Sequence, residues 1–285
     1  MSHAFHRMLV EEVLRPLRNR SVLFMPNTGN AGDSLINLAT MHCLDRMSVR
    51  YKAVGNGAKV DGETVLLGGG GNFIPAYGTI RKAFETFLDT AREIILLPHT
   101  IRGNEDLLQR MGSNVTLIAR DVESYRHASE TATKARVLLG HDMAFHTDVD
   151  RLLHASDAAL RFQPAFEEAL AARKVDLAAL QAKEKVFFAR RDVERAGSIG
   201  GADADISAIF ALGTWPGKAE ISAWCFLEMI RTAPPIVSDR LHVGIGAALL
   251  GKDCTLHDNS YGKNLGVWRH SLRHHFPTVS FAAAG

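Results

Sequence analysis

Arg240 and His242 stand two residues apart in the stretch IVSDRLHVGIGAALL, residues 236–250. A guanidinium is a permanent charge with a planar fork matched to phosphate or carboxylate. An imidazole two residues on can gain or lose a proton near neutral pH. The apolar Ile236 and Val237 read as a short strand, Ser238 and Asp239 as the turn, and the small-residue run after them as a helix. A strand that empties into polar residues ahead of a helix is where α/β proteins bind ligands, and the positive helix end favours an anion. The plain alternative is a capped helix that starts at Asp239, with Arg240 at the surface and His242 half buried.

Comparable endings recur along the chain. SVLFMP (residues 21–26) runs into NTGNAGD, where Gly29, Asn30 and Gly32 let a backbone come close and Asp33 is placed to cap the next helix. Residues 64–67 end in four glycines, and Gly69, Gly70, Gly71 and Asn72 are expected to line a ligand cleft. This is no Walker loop, because no Lys-Ser/Thr pair comes after it. Residues 93–97 end at Pro98-His99, residues 114–119 at Arg120-Asp121, and residues 135–139 at His141-Asp142. Residues 185–189 end at Arg190-Arg191, at least one of which is expected to share the cleft with Arg240. Two or three arginines at strand ends suit a small multiply charged anion. Surface ion pairing is the competing reading for each arginine, and a satisfied core imidazole is the competing reading for His99. Nucleophilic serine chemistry lacks a GxSxG elbow, and a metal site lacks HExxH or paired-cysteine spacing. No metal ligand is assigned.

The elements that must carry these residues are set by hydrophobic periodicity. An opening helix is expected over residues 5–18, then alternating strands and helices to about residue 150. That alternation implies a parallel sheet with helices on both faces and all strand C-termini along one edge. Residues 151–184 are Ala-rich and read as a helical connector. Residues 185–285 read as a smaller α/β unit with a returning, His-rich tail. The expected division is therefore a first Rossmann-like unit over 1–150, the connector, and a second over 185–285. Residues 197–205 are expected to be a flexible loop.

Composition narrows the class. The chain has 285 residues, 46% of them hydrophobic, and 33 basic against 31 acidic residues, so it is no polycation built for nucleic acid. Three scattered cysteines argue against a disulfide framework or a structural zinc site and fit a reducing cytoplasm. The charged N-terminal stretch lacks a signal-peptide core, and no apolar run is long enough to span a bilayer. A peripheral contact with the inner face of a membrane is left open. Several histidines near the termini, His3, His6, His270, His274 and His275, are expected at the surface.

Taken in order, NTGNAGD, LLGGGGNF, LPHT, ARDVESY, HDMAF, ARRDVE, SDRLHVGIGAALLGK and DNSYGKNLGVW resemble the polysaccharide pyruvyl transferases over residues 20–270. The resemblance implies an α/β, GT-B-like fold: two Rossmann-like units with mostly parallel sheets facing a cleft. It implies transfer of the pyruvyl group of phosphoenolpyruvate to hydroxyls of a hexose in a polysaccharide or its lipid-linked precursor, with a pyruvate ketal formed and phosphate released. By this resemblance Arg240, His242 and Arg120 bind the donor; Arg191, read from its place at a strand end, is expected beside them. From residue type and expected position, His242 or His99 is the expected proton donor, and Asp33 or Asp239 the expected base. No organic cofactor is required, since arginines can neutralise the departing phosphate. The partners implied are phosphoenolpyruvate and a carbohydrate acceptor, with no nucleic acid. The competing expectations are a nucleotide-sugar glycosyltransferase on the same scaffold and a non-catalytic carbohydrate- or anion-binding protein.

Overall fold

A computed structural model of the chain describes residues 4–197 and 199–282. The chain folds into two compact units. One holds the chain up to Thr28 together with Ile36–Thr147; the other holds Gly29–Leu35 together with the chain from Asp148 onward.

In the first unit the order is α1 (Ala4–Leu14), β1 (Ser21–Met25), α2 (Ala31–Arg46), β2 (Arg50–Ala53), β3 (Thr64–Leu67), β4 (Gly70–Phe73), α3 (Thr79–Phe87), β5 (Glu93–Ile101), α4 (Glu105–Leu108), β6 (Val115–Ala119), α5 (Val122–Thr131) and β7 (Arg136–Leu139). The first turn of α2 belongs to the other unit. The sheet runs β2-β1-β3-β5-β6-β7, with β4 on β5 as well, and every pairing is parallel. A sheet covered on both faces needs strands apolar on both sides, and TVLL and VTLIA are buried throughout. Helix α3 shows the complementary pattern. Ile80, Ala83, Phe84 and Phe87, spaced three and four apart, are buried in the core that also holds Leu67, Leu96 and Leu117.

Three details differ from the sequence expectation. Strand β5 does not stop before Pro98 but continues to Ile101, so His99 lies within the strand. The glycine run is not an exit loop. Gly68 and Gly69 are a break between β3 and β4, and β4 takes over the same side of β5, with Gly70 opposite His99 and Phe73 opposite Ile101. His6 is buried rather than exposed, its ring 4.5 Å from Phe145 and 4.6 Å from His141. His3 lies outside the described residues.

The second unit contains α6 (Val149–His154), α7 (Ala158–Ala172), α8 (Leu177–Gln181), β8 (Val186–Phe188), α9 (Ile206–Ile209), α10 (Ala219–Thr232), β9 (Ile236–Ser238), α11 (Leu241–Leu250), β10 (Cys254–Leu256), α12 (Lys263–Val267) and β11 (Val279–Phe281). Its parallel sheet runs β11-β10-β9-β8. Phe166 of α7 stacks on Phe210 and meets Trp224 of α10 edge-on, so the helices of residues 151–184 share this unit's aromatic core. The loop of residues 197–205 is tied at its end: Asp203 N–H donates to the Phe187 carbonyl, and Ala204 bridges Phe188. Ser198 of that loop is outside the described residues.

Candidate functional site

In the second unit Phe188, Ser238 and Leu256 lie side by side as the last residues of β8, β9 and β10. Parallel register therefore delivers the next residues of all three chains to one edge: Ala189-Arg190, Asp239-Arg240 and the turn from His257 to Lys263. Asn264 straps two of these ends together, donating through Nδ2 to the carbonyls of Asp239 (2.7 Å) and His257 (2.9 Å).

A buried charge network fills this edge. Arg240, only 6% exposed, is not a surface residue. Its guanidinium holds the Asp205 carboxylate through Nε (3.1 Å) and Nη2 (2.5 Å), and Nη1 pairs with Asp192 at 2.8 Å. Arg190 reaches the same Asp192 through Nε (2.8 Å) and binds Glu194 through Nη1 (2.6 Å). Glu194 also receives Lys263 Nζ at 2.7 Å and Asn259 Nδ2 at 3.2 Å. Three cations and three carboxylates thus meet with most of their hydrogen bonds charge-assisted, which offsets the cost of burying them. Asp192 is the exposed member, with 38% of its side chain accessible. Burial pushes its carboxyl up, but Arg240 and Arg190 outweigh that and hold it below the usual carboxylate range.

Asp239 does not cap α11. Arg240 occupies the cap position, and the Asp239 carboxylate instead accepts the Arg190 N–H at 2.8 Å, which fixes the turn after β8. Burial raises the Asp239 pKa above the ordinary carboxylate value against the pull of that N–H and the neighbouring guanidiniums.

His242 is half buried on the first turn of α11 and packs on Gly32. A Cβ at Gly32 would stand 2.8 Å from His242 Cγ and 2.9 Å from its Cβ, and closer still to Nδ1, so only glycine allows this contact. The turn beneath it is a capping box. Asn30 is the cap: its Oδ1 accepts the Gly32 N–H, and Asp33 Oδ2 returns to accept the Asn30 N–H, both at 2.9 Å. Asp33 is therefore the third helical residue and not the cap, and Gly29 lies against its carboxylate. Ser34 Oγ donates to the Gly213 carbonyl at 3.0 Å, which further ties this segment to the second unit.

The first unit holds a second group of the expected residues. His99 is fully buried and its Nε2 lies 3.0 Å from Asn72 Oδ1. Asn72 Nδ2 donates to Asn27 Oδ1 at 2.7 Å, and Asn27 Nδ2 to the Gly69 carbonyl at 3.1 Å. The room left by the glycines is taken by the protein itself. A Cβ on Gly70, at φ +152°, would overlap the Asn27 amide, and one on Gly69 would lie 2.9 Å from the Pro98 carbonyl. Gly71 sits between Gly70 and Asn72 on β4. Arg120 is 1% exposed, with Nη1 on Asp142 Oδ2 at 2.6 Å and Nε on Thr100 Oγ1 at 2.9 Å.

Of the adjacent arginines after β8, Arg190 turns into the network and Arg191 turns out. The Arg191 N–H donates to Asp205 at 3.2 Å, but its side chain is exposed and lines a pocket beside α8 and α9. Lys263, Glu194, Asp192 and Asp205 join the site without having been expected from sequence, although ARRDVE and DNSYGK contain three of them. A charged residue shortly after a strand is the signal that could have found them.

Among the described residues, Glu11, Cys43 and His146 bring potential metal-ligand atoms within 4.8 Å of one another. Arg46 already serves that position: its Nη2 is 3.1 Å from His146 Nδ1 and 3.5 Å from Glu11 Oε1. Burial pushes the Cys43 thiol up to about 12, and burial together with Arg46 and Arg7 holds His146 neutral. A guanidinium among these groups disfavours a second cation.

Two parallel-sheet α/β units with ligand-type residues at strand ends define a Rossmann-like protein. The crystal structure of a functionally uncharacterized protein from Klebsiella pneumoniae subsp. pneumoniae NTUH-K2044 has the same fold, with a TM-score of 0.74 at 24% identity over 98% of this chain and 99% of that one. No curated protein matches the chain. The family model for polysaccharide pyruvyl transferase matches residues 30–261, and the chain belongs to that family. It is accordingly a transferase of polysaccharide pyruvylation, with a carbohydrate as acceptor. No helix among the described residues is long and apolar enough to cross a membrane.

Proposed function

We propose that the protein transfers the pyruvyl group of phosphoenolpyruvate to two hydroxyls of a hexose in a polysaccharide or its lipid-linked precursor, forming a cyclic ketal and releasing phosphate. The observation that carries this reading is the buried Arg240, braced by Asp205 and beside Arg190 and Lys263, with His242 on the next turn of chain. Phosphoenolpyruvate brings a phosphate and a carboxylate, and clustered, pre-oriented cations are what such a donor requires. Asp192, the exposed carboxylate between Arg190 and Arg240, occupies the kind of position a donor oxyanion would take.

Chemically, a general acid protonates the methylene carbon and leaves an oxocarbenium-like centre at the phosphate-bearing carbon. One sugar hydroxyl adds there and loses its proton. Phosphate departs with its bridging oxygen, and a second hydroxyl closes the ketal as its proton is released. We assign the acid to His242, which is half buried and held by Gly32. Asp33, in the turn that seats this imidazole, is the candidate to receive a hydroxyl proton. His99, fully buried and bonded to Asn72, suits a scaffold histidine better. Arg120, 1% exposed and held by Asp142 and Thr100, suits a scaffold cation of the first unit better. The cytoplasm, where phosphoenolpyruvate is available, is the compartment this reading implies.

Calorimetry with phosphoenolpyruvate tests the donor assignment. Arg240→Ala is expected to weaken binding at least tenfold, and a variant that binds as tightly as wild type would overturn it.

A further inference from the structure

Beside the edge strand β8, a pocket of about 510 Å³ opens between α8, α9 and the end of α7. That is within the range of small-molecule sites, ~300–1,000 Å³. Its walls combine two chemistries. Val175, Ala179, Leu180, Ala208 and Ile209 give an aliphatic surface without an aromatic ring. Arg173, Lys174 and Arg191 also line it, and none of these three makes an ion pair or side-chain hydrogen bond among the described residues. The acids of the pocket are engaged. Asp203 pairs with Lys183 at 2.6 Å, Asp205 with Arg240, and Asp176 accepts the Ala179 N–H at 3.0 Å.

We propose that this pocket binds an organic diphosphate with an aliphatic body. Three unpaired cations complement a group carrying two to three negative charges, and the aliphatic wall excludes water from a hydrocarbon chain. A nucleoside fits less well. No aromatic side chain is present to stack on a base, and the carboxylates that could accept a ribose hydroxyl are held by Lys183, Arg240 and a helix cap. The inference concerns a site separate from the proposed donor cations and does not rest on the proposed reaction. Asp205 alone is shared, one carboxylate serving the pocket wall and Arg240.

The test is calorimetry of the full chain with geranyl diphosphate, inorganic pyrophosphate and uridine diphosphate. Geranyl diphosphate is expected to bind at least tenfold more tightly than pyrophosphate and more tightly than uridine diphosphate. The double variant Arg173→Ser/Lys174→Asn, in which asparagine tolerates the positive φ of position 174, is expected to weaken it at least tenfold. Ala179→Phe should do the same by filling the cavity. Phosphoenolpyruvate affinity should stay within threefold in both variants, which also shows that they are folded. Equal binding of geranyl diphosphate and pyrophosphate, tighter binding of uridine diphosphate, no binding of any probe at millimolar concentration, or full displacement of geranyl diphosphate by phosphoenolpyruvate would each overturn the proposal.

Discussion

Gly32→Ala is the sharpest perturbation of the site, because it adds one methyl group and removes no charge. Ordinary van der Waals contact begins near 3.4 Å, whereas the new Cβ would stand 2.8 Å from His242 Cγ and 2.9 Å from its Cβ. Those atoms sit at the root of the side chain and cannot swing aside as a flexible tip would. The imidazole must therefore retreat by more than half an ångström or leave its rotamer. Overpacking of this kind costs about 1–3 kcal/mol. Replacing glycine inside the first turn of α2 returns up to ~1 kcal/mol of helix propensity, so global stability should fall by about 0–3 kcal/mol. Turnover is more sensitive: a misplacement of ~1 Å at a reacting group can cost about 10²-fold. We expect kcat for acceptor-dependent phosphate release to drop about 10- to 100-fold. Phosphoenolpyruvate binding should stay within threefold, since the Arg240 contacts to Asp205 and Asp192 are untouched. Urea unfolding of the same sample separates loss of fold from loss of positioning. A Gly32→Ala enzyme with kcat within twofold of wild type would refute the role given to His242.

Two further predictions concern buried charge in the first unit. Asp142→Ala strands Arg120, 1% exposed, without its partner; chemical denaturation should show a loss of about 3–5 kcal/mol, and Arg120→Met combined with Asp142→Leu should recover part of it. His146 is fully buried and held neutral, so its folded pKa lies well below the ordinary value of 6.5. Its contribution is present above pH 6.5 and is lost as pH falls below it, because only the unfolded chain takes up the proton. Unfolding free energy should decline by up to ~1.4 kcal/mol per pH unit from that one group, and His146→Leu should flatten that part of the profile.

Much of the architecture is legible in the sequence because it rests on periodicity. Runs such as VLL and VTLIA, bounded by turn residues and alternating with helical segments, read as strands buried on both faces, and such strands in series point to a parallel sheet with its strand ends along one edge. The illegible part depends on local detail that periodicity does not encode. Either arginine of Arg190-Arg191 fits the pattern; the Asp239 carboxylate on the Arg190 N–H, a contact 49 residues away in sequence, decides which one enters the network. Asn30 and Asp33 are both good caps, and the helix start, which sequence places only to within a residue or two, assigns one to the cap and the other to the return bond. The four glycines read as space for a ligand because a sequence cannot say what fills it; Asn27 and the Pro98 carbonyl do. Lys263 is hidden for the same reason, since its burial comes from Glu194, 69 residues away.

The proposed donor site is built on Arg240 and is proposed to pass pyruvate to a sugar. The most direct measurement is incubation of the purified protein with phosphoenolpyruvate and a panel of hexosides, with phosphate release and product mass read from the same reaction. Phosphate that depends on the acceptor, one pyruvyl ketal per product molecule, and loss of both in Arg240→Ala are expected. Phosphate release without a pyruvylated sugar, or pyruvylation that persists in Arg240→Ala, would contradict the proposal.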